Sequence, residues 1–157
     1  MAFIRYTASA DTTIVNAYQP DLQTRGTGAN AGMADVGEVF LIYGRVSSGS
    51  QELSRMLLRF PISQISADRT NSVLPASGNV SYYLRMFNAP TSKTTPRDYS
   101  LVVAAVSQSW QEGVGLDLEG YKDLTKGNTG ANWMYASDTQ AWTNVGGDYL
   151  LTSDYYY

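Results

Sequence analysis

The clearest pattern in the chain is the alternation at residues 54–60, Ser54-Arg-Met-Leu-Leu-Arg-Phe60. A strand sends successive side chains to opposite faces, so Met56, Leu58 and Phe60 fall on one side and Arg55, Leu57 and Arg59 on the other. The first face is expected to be core and the second at least half polar. Residues 80–87 repeat the pattern, separating Tyr82, Leu84 and Met86 from Tyr83, Arg85 and Phe87. Residues 99–106 are apolar on both faces, which predicts a central strand of a packed sheet. Residues 38–43, rich in β-branched and aromatic side chains, predict a buried strand. Shorter β-prone pieces at 2–6 and 12–15 complete the set.

Between these runs the breakers fall where turns are needed. Pro61 stops the strand before it, and residues 61–65 predict a single helical turn with Ile62 and Ile65 directed inward. Residues 44–51 and 88–96 read as turns. Gly26-Thr-Gly28-Ala-Asn-Ala31 fits a loose dinucleotide fingerprint, but no buried strand precedes it and no helical pattern follows, so a surface loop is expected. No amphipathic helix longer than a turn or two is evident. Short strands punctuated by Gly, Pro and Asn predict an all-β fold, an antiparallel sandwich.

Residues 107–148 break this rhythm. The stretch holds all three tryptophans, Trp110, Trp133 and Trp142. Unstructured loops longer than about 12–15 residues are usually functional or disordered, and disordered segments are poor in aromatics. An ordered excursion across one end of the sandwich is therefore expected. Its indoles can serve as plugs for the open end or as a platform for stacking a sugar, and packing is the expected role because Trp buries ~150–250 Å². Trp110, directly after a central strand, is the expected plug; Trp133 and Trp142, with Asn132 to hold a hydroxyl, are the better ligand candidates.

Composition narrows the chemistry. The 157 residues include no cysteine and no histidine, which excludes disulfides, thiolate zinc sites and imidazole-based catalysis. A net charge of -3 gives no electrostatic footprint for nucleic acid. No apolar run approaches the ~20 residues of a membrane span, and the N-terminus lacks the basic and apolar regions of a signal peptide. No nucleic-acid partner, membrane association or Sec-type export is expected.

The order of features resembles the DNRLRE-type domain, a jelly-roll sandwich related to carbohydrate-binding modules and found in bacterial surface proteins and phage virion proteins. The residues that carry the resemblance are Asp11-Thr-Thr-Ile14, the phrase from Ser54 to Ile65, residues 102–110 leading into Trp110-Gln-Glu-Gly113, then Ala131-Asn-Trp133, Trp142 and Gly146-Gly-Asp148. It covers most of the chain. Domains of this type continue past the Gly-Gly-Asp phrase with further strands, whereas this sequence stops at Tyr157. Either the single domain at 1–157 is the N-terminal part of a longer polypeptide, the favoured reading, or a neighbouring chain supplies strands.

The remaining candidates have plain alternatives. Glu112, Asp117, Glu119 and Asp123 form an acidic run; paired carboxylates are what glycoside hydrolysis needs, and oxygen ligands suit calcium. The spacing fits no EF-hand loop, and a solvated acidic loop is the expected reading, so no catalytic residue, metal or cofactor is assigned. Arg55, Arg59 and Arg85 are read as outward residues that pair with carboxylates rather than as an anion patch. Asp148 should satisfy nearby backbone N–H groups, with Gly146 and Gly147 supplying positive φ. The twelve tyrosines point to contact surfaces, with Tyr155, Tyr156 and Tyr157 as interface candidates. The resemblance and the missing signal together imply a non-enzymatic virion component that contacts other virion proteins as a homo-oligomer or assembly subunit. The alternative is a carbohydrate-binding module that meets glycans through its loop tryptophans. A glycosidase built on Glu112 and Asp117 is the weakest reading.

Overall fold

A computed structural model describes residues 3–76, 78–92, 94, 98–116, 120–121 and 130–150. Among these the regular structure is chiefly β with one short helix, arranged as two small antiparallel sheets. Strands β1 (Ala10–Val15), β2 (Leu41–Tyr43) and β3 (Gln51–Arg59) form the larger sheet in the order β1-β3-β2. Helix α1 (Ile62–Thr70) follows, and β4 (Ala105–Val106) pairs with β5 (Tyr149–Leu150).

β1 forms where Thr12, Thr13, Ile14 and Val15 place four β-branched residues in a row, a run stiff at χ1 and suited to a pleated surface. It lies antiparallel to β3 with Ile14 opposite Arg55, Thr12 opposite Leu57 and Ala10 opposite Arg59. These six side chains therefore share one face, and that face carries the main core. Ile14, Leu57 and Ala10 pack there with Trp110, Trp133, Trp142, Ala131 and Ala136. Val15, on the other face, joins Ala17 and Ala29 in a smaller cluster covered by Phe40 and Tyr121. β2 and β3 are joined through residues 44–50, where Gly44 at φ 70° donates its N–H to Ser50 O at 2.8 Å. An L-side chain is disfavoured at that φ, which accounts for glycine.

Several expectations change. The sidedness of β3 is the reverse of that predicted: Leu57, between the two arginines, is buried, while Met56 and Leu58 are only half-buried. The reason is that Arg55, half-buried, and Arg59, exposed, lie on the core side of the strand. Their guanidinium groups lie over indole rings, so long cationic side chains roof the core with their stems and planar heads. The predicted strand at 38–43 shrinks to Leu41–Tyr43, whose outer residues are exposed, because β2 is an edge strand of the sheet. Residues 3–8 form no strand.

The helical turn predicted at 61–65 extends to a nine-residue helix with no buried residue, and Ile62 is 64% exposed instead of directed inward. It is tied by Tyr6, whose hydroxyl donates to Asp68 Oδ2 at 2.6 Å, and by Arg69, which donates to the Tyr82 hydroxyl. Residues 26–31 do form a loop, yet Gly26, Ala29, Asn30 and Ala31 are buried rather than at the surface. The period-two segment at 80–87 forms no strand, and of 99–106 only Ala105–Val106 does. A pleated pattern becomes a strand only when a ladder partner satisfies its backbone, and among the described residues neither segment has one outside β4.

Candidate functional site

The tryptophan-bearing excursion is built on asparagines. Asn30, 1% exposed, uses its side-chain amide on two distant pieces of chain and on its own turn. Its Nδ2 donates to Glu112 O at 2.8 Å and Ala131 O at 2.7 Å, and its Oδ1 accepts from Gly115 N at 2.8 Å and Gly32 N at 3.2 Å. Four bonds exhaust the capacity of a primary amide. Gly130, at φ 139°, makes room for this knot: a Cβ there would stand 2.4 Å from Gly113 Cα and 2.6 Å from Asn30 Nδ2. Asn132 does the same locally, its Oδ1 accepting from Met134 N at 2.9 Å and Tyr135 N at 2.8 Å.

These turns aim the indoles inward. Trp110, Trp133 and Trp142 are 9%, 6% and 5% exposed, and Trp142 Nε1 donates to Asn132 O at 2.8 Å. Arg59 covers Trp110 with its guanidinium carbon 4.8 Å from the ring centroid, and Arg55 covers Trp133 at 4.9 Å. All three rings are therefore interior plugs. None offers the open face that stacking on a sugar requires, which corrects the ligand role weighed for Trp133 and Trp142. Of the four residues considered for carbohydrate, Asn132 borders a cleft.

That cleft measures about 350 Å³ and is lined by Arg25, Thr27, Asn132, Met134, Tyr135 and Asp138, among others. Tyr135 is 47% exposed. Arg25 is held over the Tyr18 ring at 4.1 Å and donates to Asn16 O and Gln51 O, at 2.6 and 2.9 Å. A second cleft of about 320 Å³ lies beside Arg55, Asn144, Val145, Gly147 and Tyr149.

The acidic candidates separate. Glu112 Oε1 accepts the Asp11 N–H at 2.8 Å, a structural bond between its loop and β1; Asp117, Glu119 and Asp123 lie outside the described residues, as do Tyr155, Tyr156 and Tyr157. Among the described residues no group of three or more potential metal ligands comes together. Asp148 does what its position predicted: its carboxylate accepts from Thr143 N at 2.8 Å, Asn144 N at 2.7 Å and Asn144 Nδ2 at 3.0 Å. Gly146 and Gly147 precede it at φ 92° and 108°. Burial of Asp148 disfavours the charge, but the backbone bonds from Thr143 and Asn144, joined by the Asn144 amide, outweigh it and hold the carboxyl below its usual range.

One carboxylate escaped the sequence reading. Glu52, on β3, is fully buried; its Oε2 accepts the Tyr18 N–H at 2.7 Å. Arg45 Nε approaches Oε1 at 3.1 Å, an ion pair whose geometry falls short of a hydrogen bond. Arg45 also donates to Tyr18 O at 2.7 Å, so the pair fastens the segment after β1 to the β2–β3 connection. It falls between the turn read at 44–51 and the alternation read at 54–60, and a charged residue there reads as solvent-facing by default. Comparison with family models, with curated proteins and with solved structures finds no match for this chain.

Proposed function

We propose that this chain is a non-enzymatic structural component of a phage particle or a comparable extracellular assembly, acting through protein–protein contacts within a jelly-roll-like framework. The observation that supports this reading is the apolar surface carried by 80–87 and 99–103. Tyr82, Tyr83 and Phe87 are 66%, 85% and 78% exposed, and Val102 and Val103 are 65% and 62% exposed. Isolated apolar residues at a surface are ordinary, but runs of them mark contact sites. Unpaired strand-like segments are templates for pairing with another chain. The virion setting comes from the resemblance to the DNRLRE-type domain.

The reading is tested on particles. A tagged chain should band with intact particles in a density gradient at a stoichiometric copy number, while Tyr83→Glu combined with Phe87→Glu should be left in the soluble fraction. A wild-type chain that never bands with particles overturns it.

One observation favours a second reading, glycan binding: half-exposed Tyr135 stands beside Asn132 and Asp138 in the 350 Å³ cleft. An aromatic face next to hydrogen-bonding groups suits a sugar ring. Calorimetric titration with surface glycans should then show binding that Tyr135→Ala abolishes; heat that persists in that variant, or none in the wild type, removes this reading.

A further inference from the structure

Residues 80–87 combine three properties that are seldom found together at a free surface. They form no helix, turn or ladder, and among the described residues none of their backbone groups is bonded to a neighbouring strand. Both of their alternating faces are apolar: Tyr82, Leu84 and Met86 on one, Tyr83 and Phe87 on the other, all exposed. Arg85 is the single charged side chain, and its guanidinium lies 4.8 Å from the centroid of the Phe87 ring.

We propose that residues 80–87 are a strand edge that pairs antiparallel with the same segment of a second copy of this chain. This rests on the reading above that the chain works through protein contacts, and it names the partner. Strand addition satisfies the open backbone groups directly, and alternate side chains supply the packing. With side chains counted at ~150–250 Å² for an aromatic, Tyr82, Tyr83, Leu84, Met86 and Phe87 leave roughly 600 Å² of apolar surface per copy. That is the upper end of what a monomer tolerates, ~300–600 Å², and most of the ~800 Å² that each partner contributes to a stable complex.

The second copy is the occupant that the charge pattern admits. In an antiparallel pair centred on Leu84, Leu84 faces its own counterpart, Tyr82 faces Met86, and Arg85 faces Tyr83. The lone cation of each strand then meets an aromatic ring and never its like-charged twin, the arrangement that strand pairing favours. Two-fold symmetry makes one patch serve both sides, the commonest form of association among soluble oligomers.

Because the chain has no cysteine, a single introduced thiol reports the geometry. Directly opposed residues of an antiparallel pair have Cα atoms about 4.5–5.5 Å apart, inside the span of about 4.4–6.8 Å that a disulfide bridges. Leu84→Cys should therefore oxidise to a covalent dimer at least ~10-fold faster than Ser63→Cys on exposed α1, since strand pairing holds the two thiols at bonding distance. In sedimentation velocity the wild type should run at twice 17.2 kDa, and Tyr83→Glu with Phe87→Glu should raise the dissociation constant ~100-fold or more. A wild type that stays monomeric up to about 100 µM, with Leu84→Cys no faster than the control, overturns the inference. If the wild type nonetheless bands with particles and the glutamate variant does not, the partner is a different protein and only the second-copy inference falls. If neither bands, the structural reading falls with it.

Discussion

The guanidinium of Arg55 lies over the indole of Trp133, with its carbon 4.9 Å from the ring centroid and 4.7 Å from that of Tyr149. Arg55 also donates to Gly146 O and, at 3.2 Å, to the Tyr149 hydroxyl. One residue of β3 thereby locks the far end of the tryptophan excursion onto the sheet. Arg55→Met keeps the stem but loses the cation and its bonds, and should destabilise the fold by ~1–2 kcal/mol, read from the urea midpoint. Arg55→Lys should recover less than half, because an ammonium has no planar face to stack on either ring.

Asn30 offers a sharper test. Asn30→Asp preserves the shape and the acceptor but removes both donors, leaving the Glu112 and Ala131 carbonyls facing a carboxylate. A loss of ~3 kcal/mol or more is expected by chemical denaturation, since each buried group left unpaired costs ~1–3 kcal/mol. Asn30→Ser, able to keep at most part of the network, should fall between the two.

Asp148 makes stability depend on acid. Its folded carboxyl is held below the ordinary value of 3.8, so the unfolded chain takes up the proton first as pH falls. The contribution is complete above about pH 4 and is lost as pH drops through the lower folded value. Urea midpoints measured from pH 6 to pH 2.5 should decline more steeply for the wild type than for Asp148→Asn, which lacks the titrating group.

Tyr6 acts at the other extreme. The hydrogen bond to Asp68, then burial, then the charges of Asp68 and Tyr82 push its pKa from 10.0 to about 12. The group is raised, so its contribution is full below pH 10 and is lost between pH 10 and about 12, as the unfolded chain ionises and the folded one resists. Ultraviolet titration should show one tyrosinate appearing near pH 12 in the wild type and at a lower pH in Asp68→Asn. The tie between residue 6 and α1 would be weakened in that variant, since an amide oxygen still accepts the bond but without the charge of a carboxylate.

Some of this was legible in the residues and some was not. The β-branched run at Thr12–Val15 and the alternation at 54–60 marked β1 and β3, and three indoles in one stretch marked the core. The sidedness of β3 was not legible. Periodicity separates two faces without saying which is inner, and polarity gives the wrong answer when arginines stack on tryptophans. Residues 80–87 carry strong strand propensity, but propensity is local and a ladder needs a partner, so the pattern could not report its absence. Asn30 and Glu52 were missed for a shared reason: their burial depends on residues from remote parts of the chain, as with Ala131, which lies 101 positions from Asn30. Asp148 was legible because its partners are its own neighbours, four and five positions away.

The distance between the sheet and its cover also governs the order of events during synthesis. Ile14 and Leu57 leave the ribosome before Trp133 and Trp142, which shield them and lie far downstream. At ~5–20 residues per second the hairpin and its partner strand wait several seconds with one greasy side bare. Pairing of β1 with β3 brings no lasting reward until the last indole emerges, so the nascent chain depends on whatever shelters it in the interval.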